Sequence, residues 1–187
     1  MKIVSGTARG IELLAPPGLE VRPTSVRARC ALMDSLRDFA GRRVADLCAG
    51  SGGIGLEAAS RGAAAALFVE VNRRHCRFLE DNIAKVRKAG AEFESHVICG
   101  SILDCHSYSR YLSAPDLIFA DPPYAESAEL WRSLCASTEF QEWAQHAKIV
   151  WELPDTPGSA GLFLSCPLPG REGRVRRLGP ASFFMVD

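Results

Sequence analysis

The sequence predicts a doubly wound α/β domain that ends in an antiparallel hairpin, and three observations predict it. Short apolar runs alternate with helix-period stretches from residue 44 onward, the pattern of parallel strands joined by right-handed crossovers with helices on both faces. A glycine-rich loop stands between the first run and the first helix of this array, where open α/β sheets bind ligands. The last two runs have no helix-length segment between them, and strands without a crossover pair antiparallel. Five parallel strands and a two-stranded hairpin give a seven-stranded, mostly parallel sheet.

The elements follow in order. Residues 3–14 alternate loosely around Gly6 and Gly10 and predict a small hairpin, with a Pro-Pro-Gly turn at 16–18 behind it. Thr24 or Ser25 can accept a hydrogen bond from an orphan N–H and so start a helix. Val26, Cys30, Met33 and Leu36, with Phe39 beyond, are spaced for its buried face, and Arg27, Arg29 and Arg37 fall outside that stripe. Residues 1–40 therefore read as an appendage to a domain spanning 41–187. In that domain the run 44–48 leads to a helix over 52–61, and 65–70 leads to a helix over 73–88 whose Cys76, Leu79, Ile83 and Val86 share a face. The run 96–99 leads to a shorter helical stretch, 116–120 to the helix carrying Leu130, Trp131 and Leu134, and 149–153 completes the parallel set. Runs 162–168 and 181–186 are the expected hairpin strands, with the basic stretch 171–177 between them.

Composition narrows the function classes. A chain of 187 residues, 47% hydrophobic and 24% charged, buries about 70% of its unfolded surface and needs no staple to fold. It is expected to act as a monomer. Its seven cysteines form no CxxC pair, which argues against a zinc ribbon or a disulfide framework and for small buried side chains in a reducing compartment. The four histidines sit at no metal-binding spacing, so no metal is expected. The amino terminus lacks a long apolar stretch and no run approaches about 20 apolar residues, so the expected location is the cytoplasm, with no membrane.

Net charge is zero, yet the charges are segregated: residues 1–43 carry eight basic side chains against four acidic, and 104–155 carry nine acidic against three basic. Such a split either steers a phosphate backbone to one end of the molecule or reflects solvated helix faces.

Asp46-Leu47-Cys48-Ala49-Gly50-Ser51-Gly52-Gly53-Ile54-Gly55 contains the spacing GxGxxG, and Glu70 ends the next strand 20 residues after Gly50. Alone, this is a dinucleotide fingerprint: glycines for the turn and the close approach, a carboxylate for ribose hydroxyls. Asp46 shifts the balance, because a carboxylate four residues before the first glycine suits a ligand with cationic groups. S-adenosylmethionine carries a sulfonium and an ammonium, and Glu70 can still hold its ribose.

Asp121-Pro122-Pro123-Tyr124 directly follows the fourth strand. Two prolines stiffen the backbone and remove two N–H donors. The Asp121 carboxylate and the Pro122 carbonyl are then a pure acceptor pair, matched to an –NH₂ group with two hydrogens to donate. In an exocyclic amine of a nucleobase the lone pair is delocalised into the ring. Two acceptors can turn it towards a methyl carbon and stabilise the charge that develops. Tyr124 offers a ring on which an unstacked base can lie. A plain turn with a packed tyrosine is the bland alternative.

Together with Ser5-Gly6, Arg9-Gly10 and Arg22-Pro23-Thr24-Ser25 opening a helix with Arg27 and Arg29, these motifs resemble the class I methyltransferases. Within that group they are similar to the bacterial 16S ribosomal RNA guanine-N2 methyltransferases of the RsmD type, over nearly the whole chain. The resemblance implies a Rossmann-like fold, S-adenosylmethionine as methyl donor, and 16S ribosomal RNA or a small-subunit assembly particle as substrate. It implies that Asp46, Cys48, Gly50, Ser51 and Gly52 line the methionine portion and that Glu70 and Val71 hold the ribose side. Ser101 and Ile102 then flank the adenine, and Asp121, Pro122 and Tyr124 handle the target base, with Asp121 also bordering the cofactor. Arg9, Arg22, Thr24 and Arg27 are implied to face RNA. Ser101 departs from the aspartate common at that position, which implies a weaker hold on adenine. The competing readings are adenine-N6 methylation of DNA, nicotinamide-dependent oxidation and a catalytically silent RNA-binding module.

Overall fold

The computed structural model describes residues 1–15 and 23–187. The elements are α1 (Pro23–Leu36), β1 (Arg43–Leu47), α2 (Gly53–Ser60), β2 (Ala65–Glu70), α3 (Arg73–Lys88), β3 (Glu94–Cys99), α4 (Cys105–Ser109), β4 (Leu117–Ala120), α5 (Ser127–Ala136), α6 (Thr138–Trp143), β5 (Lys148–Glu152), α7 (Ser159–Leu164), β6 (Gly173–Leu178) and β7 (Ala181–Val186). The strands form one seven-stranded sheet in the order β3-β2-β1-β4-β5-β7-β6. The first five run parallel, and β7 pairs antiparallel with both β5 and β6. The doubly wound sheet with its closing hairpin is therefore present. The chain reverses direction across the sheet between β1 and β4, the switch point at which such sheets open a crevice.

Strand alternation sends side chains to two cores. Ala45, Leu47, Ile118, Ala120, Ile149 and Trp151 point to the face covered by Tyr108, Trp131, Phe140 and Phe163 from α4 to α7. Val44, Leu117, Phe119, Val150, Phe183 and Met185 point the other way, against Leu32 and Met33 of α1. Beside them Phe68 packs with Leu56, Leu79, Ile83 and Val86 of α2 and α3. No helix among the described residues is long and apolar enough to cross a membrane.

Three local expectations need correction. The run 162–168 is no strand: 159–164 is α7, opened by Gly158 in the left-handed region, with Phe163 buried and Leu162 and Leu164 outside. The basic stretch supplies the strand instead, as β6. An edge strand with little buried surface tolerates Arg174, Arg176 and Arg177, and charge on an edge discourages pairing with other chains. Second, the amino-terminal hairpin reduces to a single bridge between Lys2 and Glu12, with turns between. Third, the face α1 buries runs through Ala28, Arg29, Leu32 and Met33, while Val26, Cys30 and Leu36 are half-buried. Arg29 can go inside because its guanidinium donates to the Lys2 carbonyl (2.7 Å) and the Met1 sulfur. Burial lowers its pKa, and the Glu57 carboxylate opposes that shift.

The leading residues are fastened along α2. Glu57 accepts from the amides of Val4 and Ser5, and the Ser60 carbonyl accepts from Thr7 N–H at 2.8 Å. Gly6 is required at this contact, since a Cβ there would lie 1.7 Å from the Ser60 oxygen. At the other end of α2 the fully buried Asn82 of α3 accepts from Leu14 N–H and donates to the carbonyls of Leu14 and Ser51. This side chain joins the leading segment to the glycine loop. Asn82→Ala strands three backbone groups and is expected to lower unfolding stability by about 2–4 kcal/mol. A urea midpoint equal to that of wild type would contradict the clamp.

Candidate active site

The carboxyl ends of β2, β1, β4 and β5 stand side by side, and each brings a carboxylate: Glu70, Asp46 at the next-to-last position of β1, Asp121 and Glu152. The loop after β1 turns sharply. Cys48 has φ +63°, Gly50 +55° and Gly52 +83°. Gly52 opens α2, and a Cβ there would meet the Leu79 side chain at 2.4 Å. Cys48 is half-buried, and burial together with Glu70, Asp46 and Asp121 pushes its thiol up to about 12. The thiol is neutral and unreactive there.

Asp46 is 4% exposed, and its Oδ2 accepts from Gly55 N–H at 2.8 Å. Burial raises the carboxyl to about 8. The Gly55 hydrogen bond opposes the shift, and Asp121 and Glu70 add to it. Glu70 receives Gly50 N–H at 2.7 Å on one oxygen and Asn72 N–H at 2.9 Å on the other. Amides of the glycine loop that a pyrophosphate would use are thus already paired with two protein carboxylates. Such a loop suits a cationic ligand and opposes a dinucleotide.

Beside Glu70, Val71 is 73% exposed. Across from it the Ser101 hydroxyl accepts from Leu103 N–H at 3.2 Å, and Ile102 is buried with its carbonyl bound by the Tyr108 hydroxyl. The Gly100 N–H donates to the Glu70 carbonyl, tying the two loops together. Val71 and the 101–103 turn therefore stand on neighbouring strand ends, beside Glu70.

At β4, Pro122 is buried while Asp121, Pro123 and Tyr124 are exposed. The Pro123 carbonyl accepts from Glu126 N–H, closing the turn before α5. Desolvation by the surrounding protein lifts the Asp121 carboxyl to about 6 even though the residue opens to solvent. The register Leu47↔Ala120↔Trp151 places Asp121 between the end of β1 and Glu152. Glu152 is half-buried, and burial followed by Asp121 raises it to about 7. Sequence reasoning overlooked Glu152 because it belongs to no motif. Strand adjacency alone reveals it.

The RNA candidates are dispersed. Arg27 is exposed on α1, and its carbonyl lies near Gly179 of the turn that ends the arginine strand β6. Arg9 is exposed near the far end of α2, about 12 Å of helix from the glycine loop. Arg22 and the side chain of Thr24 lie outside the described residues. Among the described residues no group of three or more His, Cys, Asp or Glu could hold a metal ion.

Known proteins resemble this chain in sequence and fold. The chain is 30% identical to a putative rRNA methyltransferase of Bacillus subtilis over 173 residues, 84% of this chain and 88% of that protein. It is 31% identical to the ribosomal RNA small subunit methyltransferase D of Escherichia coli over 126 residues, 66% of this chain and 60% of that one. A hypothetical protein of Thermus thermophilus superimposes with a TM-score of 0.71 at 28% identity, covering 100% of this chain and 99% of the other. Residues 1–157 match the family described as conserved hypothetical protein 95. The chain belongs to that family, the RsmD-type methyltransferases.

Proposed function

We propose that the protein transfers a methyl group from S-adenosylmethionine to the exocyclic N2 amine of a guanine in 16S ribosomal RNA. One observation carries the cofactor choice: Glu70 and Asp46 occupy the loop amides of Gly50 and Gly55, leaving carboxyl oxygens rather than N–H donors facing the ligand. When bound, S-adenosylmethionine supplies a methyl group activated by its sulfonium. Asp46 and the glycine loop then line the methionine end, Glu70 accepts from the ribose hydroxyls, and Val71 with Ser101 and Ile102 encloses the adenine.

Asp121 and the Pro122 carbonyl accept the two hydrogens of the target amine and turn its lone pair out of conjugation. Asp121 also stabilises the positive charge that collects on nitrogen and takes up the proton the product releases. Tyr124, exposed at the edge, stacks the unpaired base. The names of the relatives support ribosomal RNA as the substrate class. The exposed arginines of β6 and Arg27 on α1, with the described residues of the leading segment, make the RNA-facing side. The protein works as a monomer in the cytoplasm on naked RNA or on an assembling subunit.

Mass spectrometry of ribosomal RNA from a strain lacking the gene tests this. One N2-methylguanine should disappear from 16S RNA, return in full with the wild-type gene and return only to a much lower level with the Asp121→Ala gene. Loss of an N6-methyladenine instead, or an unchanged methylation pattern, would sink the proposal.

A further inference from the structure

Glu152 ends β5 one strand away from Asp121. Val150 points to the face covered by α1, so Glu152, two residues further along β5, points there as well, and Asp121 directly follows the end of the neighbouring β4. Adjacent strands lie about 4.8 Å apart, close enough for two side chains at their ends to converge on neighbouring groups of one purine edge. Glu152 is half-buried, and no hydrogen bond or ion pair among the described residues engages its carboxylate. A desolvated carboxylate facing another without a cation costs stability. Among the described residues Glu152 has no internal partner.

We infer that Glu152 is a specificity-determining residue that accepts the N1–H of the target guanine while Asp121 and Pro122 hold its N2 amine. The inference rests on the guanine-N2 reading above and extends it to a second contact. The Watson–Crick edge of guanine offers three hydrogens in a row, two on N2 and one on N1. Adenine presents an amine next to a bare N1 acceptor, which would face the Glu152 oxygens lone pair to lone pair. Two carboxylates on adjacent strands thus select a base with N1–H and reject one without it. Burial and Asp121 raise the Glu152 carboxyl to about 7, so its selection for N1–H is sharpest above that pH, where both oxygens only accept.

The discriminating substrate is 2-aminopurine, which keeps the 2-amine but has an unprotonated N1. Once the methylated position is mapped, small subunits reconstituted with guanine or 2-aminopurine there are offered to wild type, Glu152→Gln and Glu152→Ala. Wild type should favour guanine by about 10- to 100-fold in kcat/KM. Glutamine can turn either its oxygen or its amide nitrogen to N1, so Glu152→Gln should bring the ratio to within a few-fold of one. Alanine should lose the preference mainly through a slower guanine reaction. Because loss of O6 is common to all three proteins, the change in ratio isolates N1.

S-adenosylmethionine affinity, measured by calorimetry, should be the same for all three and reports an intact fold. Wild type methylating both bases equally, or a preference unchanged in both variants, overturns the role of Glu152. A methyl group found on an atom other than N2 in the guanine substrate overturns the guanine reading itself, a separate and recognisable failure.

Discussion

Asp121→Ala is expected to lower turnover by about 10²- to 10³-fold while leaving S-adenosylmethionine affinity within a few-fold of wild type. The size follows from what the side chain is asked to do. An acceptor aimed at charge that develops only in the transition state is worth about 2.7–4 kcal/mol, and its removal lowers kcat and kcat/KM together. The Pro122 carbonyl survives in the variant and can still take one hydrogen of the amine, so the reaction should not stop altogether. Cofactor affinity is spared because the loop amides are organised by Glu70 and Asp46, not by Asp121. Single-turnover assays with saturating RNA, alongside calorimetric titration, separate the two quantities. Turnover within threefold of wild type would remove Asp121 from the reaction centre.

How much of this was legible in the sequence differs element by element. Strands with both faces buried announced themselves: 44–48, 65–70 and 116–120 read as apolar runs because β1, β2 and β4 lie inside the sheet. The closing hairpin was predicted, but one of its strands was misplaced, since β6 lies at an edge and carries arginines where the reading looked for apolar residues. The six residues of α7 are too few for a 3.6-residue period to stand out from a strand-like run. Arg29 was read as a surface residue because its partners, Met1 and Lys2, are 27 or more positions away.

In the site the same division holds. The glycine loop, Asp46, Glu70 and Asp121 lie in contiguous motifs, and the fold brings their strand ends together. Asn82 and Glu152 act across elements, and nothing local marks them. Asn82 does leave a trace, for it is a polar residue on the same buried side of α3 as Leu79 and Val86.

Asp46→Asn should make the ligand-free protein more stable and the liganded one less so, and pH shows why. The folded-state pKa of Asp46, about 8, lies well above the ordinary aspartate value of 3.8. Below about pH 4 the carboxyl is protonated whether the chain is folded or not, so it favours neither state. Between pH 4 and 8 it is ionised in the unfolded chain yet still protonated in the fold, and stability is lost steadily as pH rises. Above about 8 the loss is complete. Asparagine keeps an acceptor for Gly55 N–H and never ionises, so it escapes this loss, which amounts to a few kcal/mol over the window.

The melting temperature of Asp46→Asn should therefore match wild type near pH 4 and exceed it by roughly 5 °C or more at pH 8. A gap that stays constant with pH would mean that the carboxyl is ionised in the fold at all these values. Binding reverses the advantage, because a sulfonium and an ammonium beside Asp46 favour its charged form. Wild type should release a proton on taking up S-adenosylmethionine at pH 6.5. The variant should release fewer and bind more weakly, as calorimetry in buffers of different ionisation enthalpy would show. Equal proton release by the two proteins would place the cationic groups of the ligand away from Asp46. The same carboxylate thus holds the site in a destabilised, neutral state until a cation makes its charge useful.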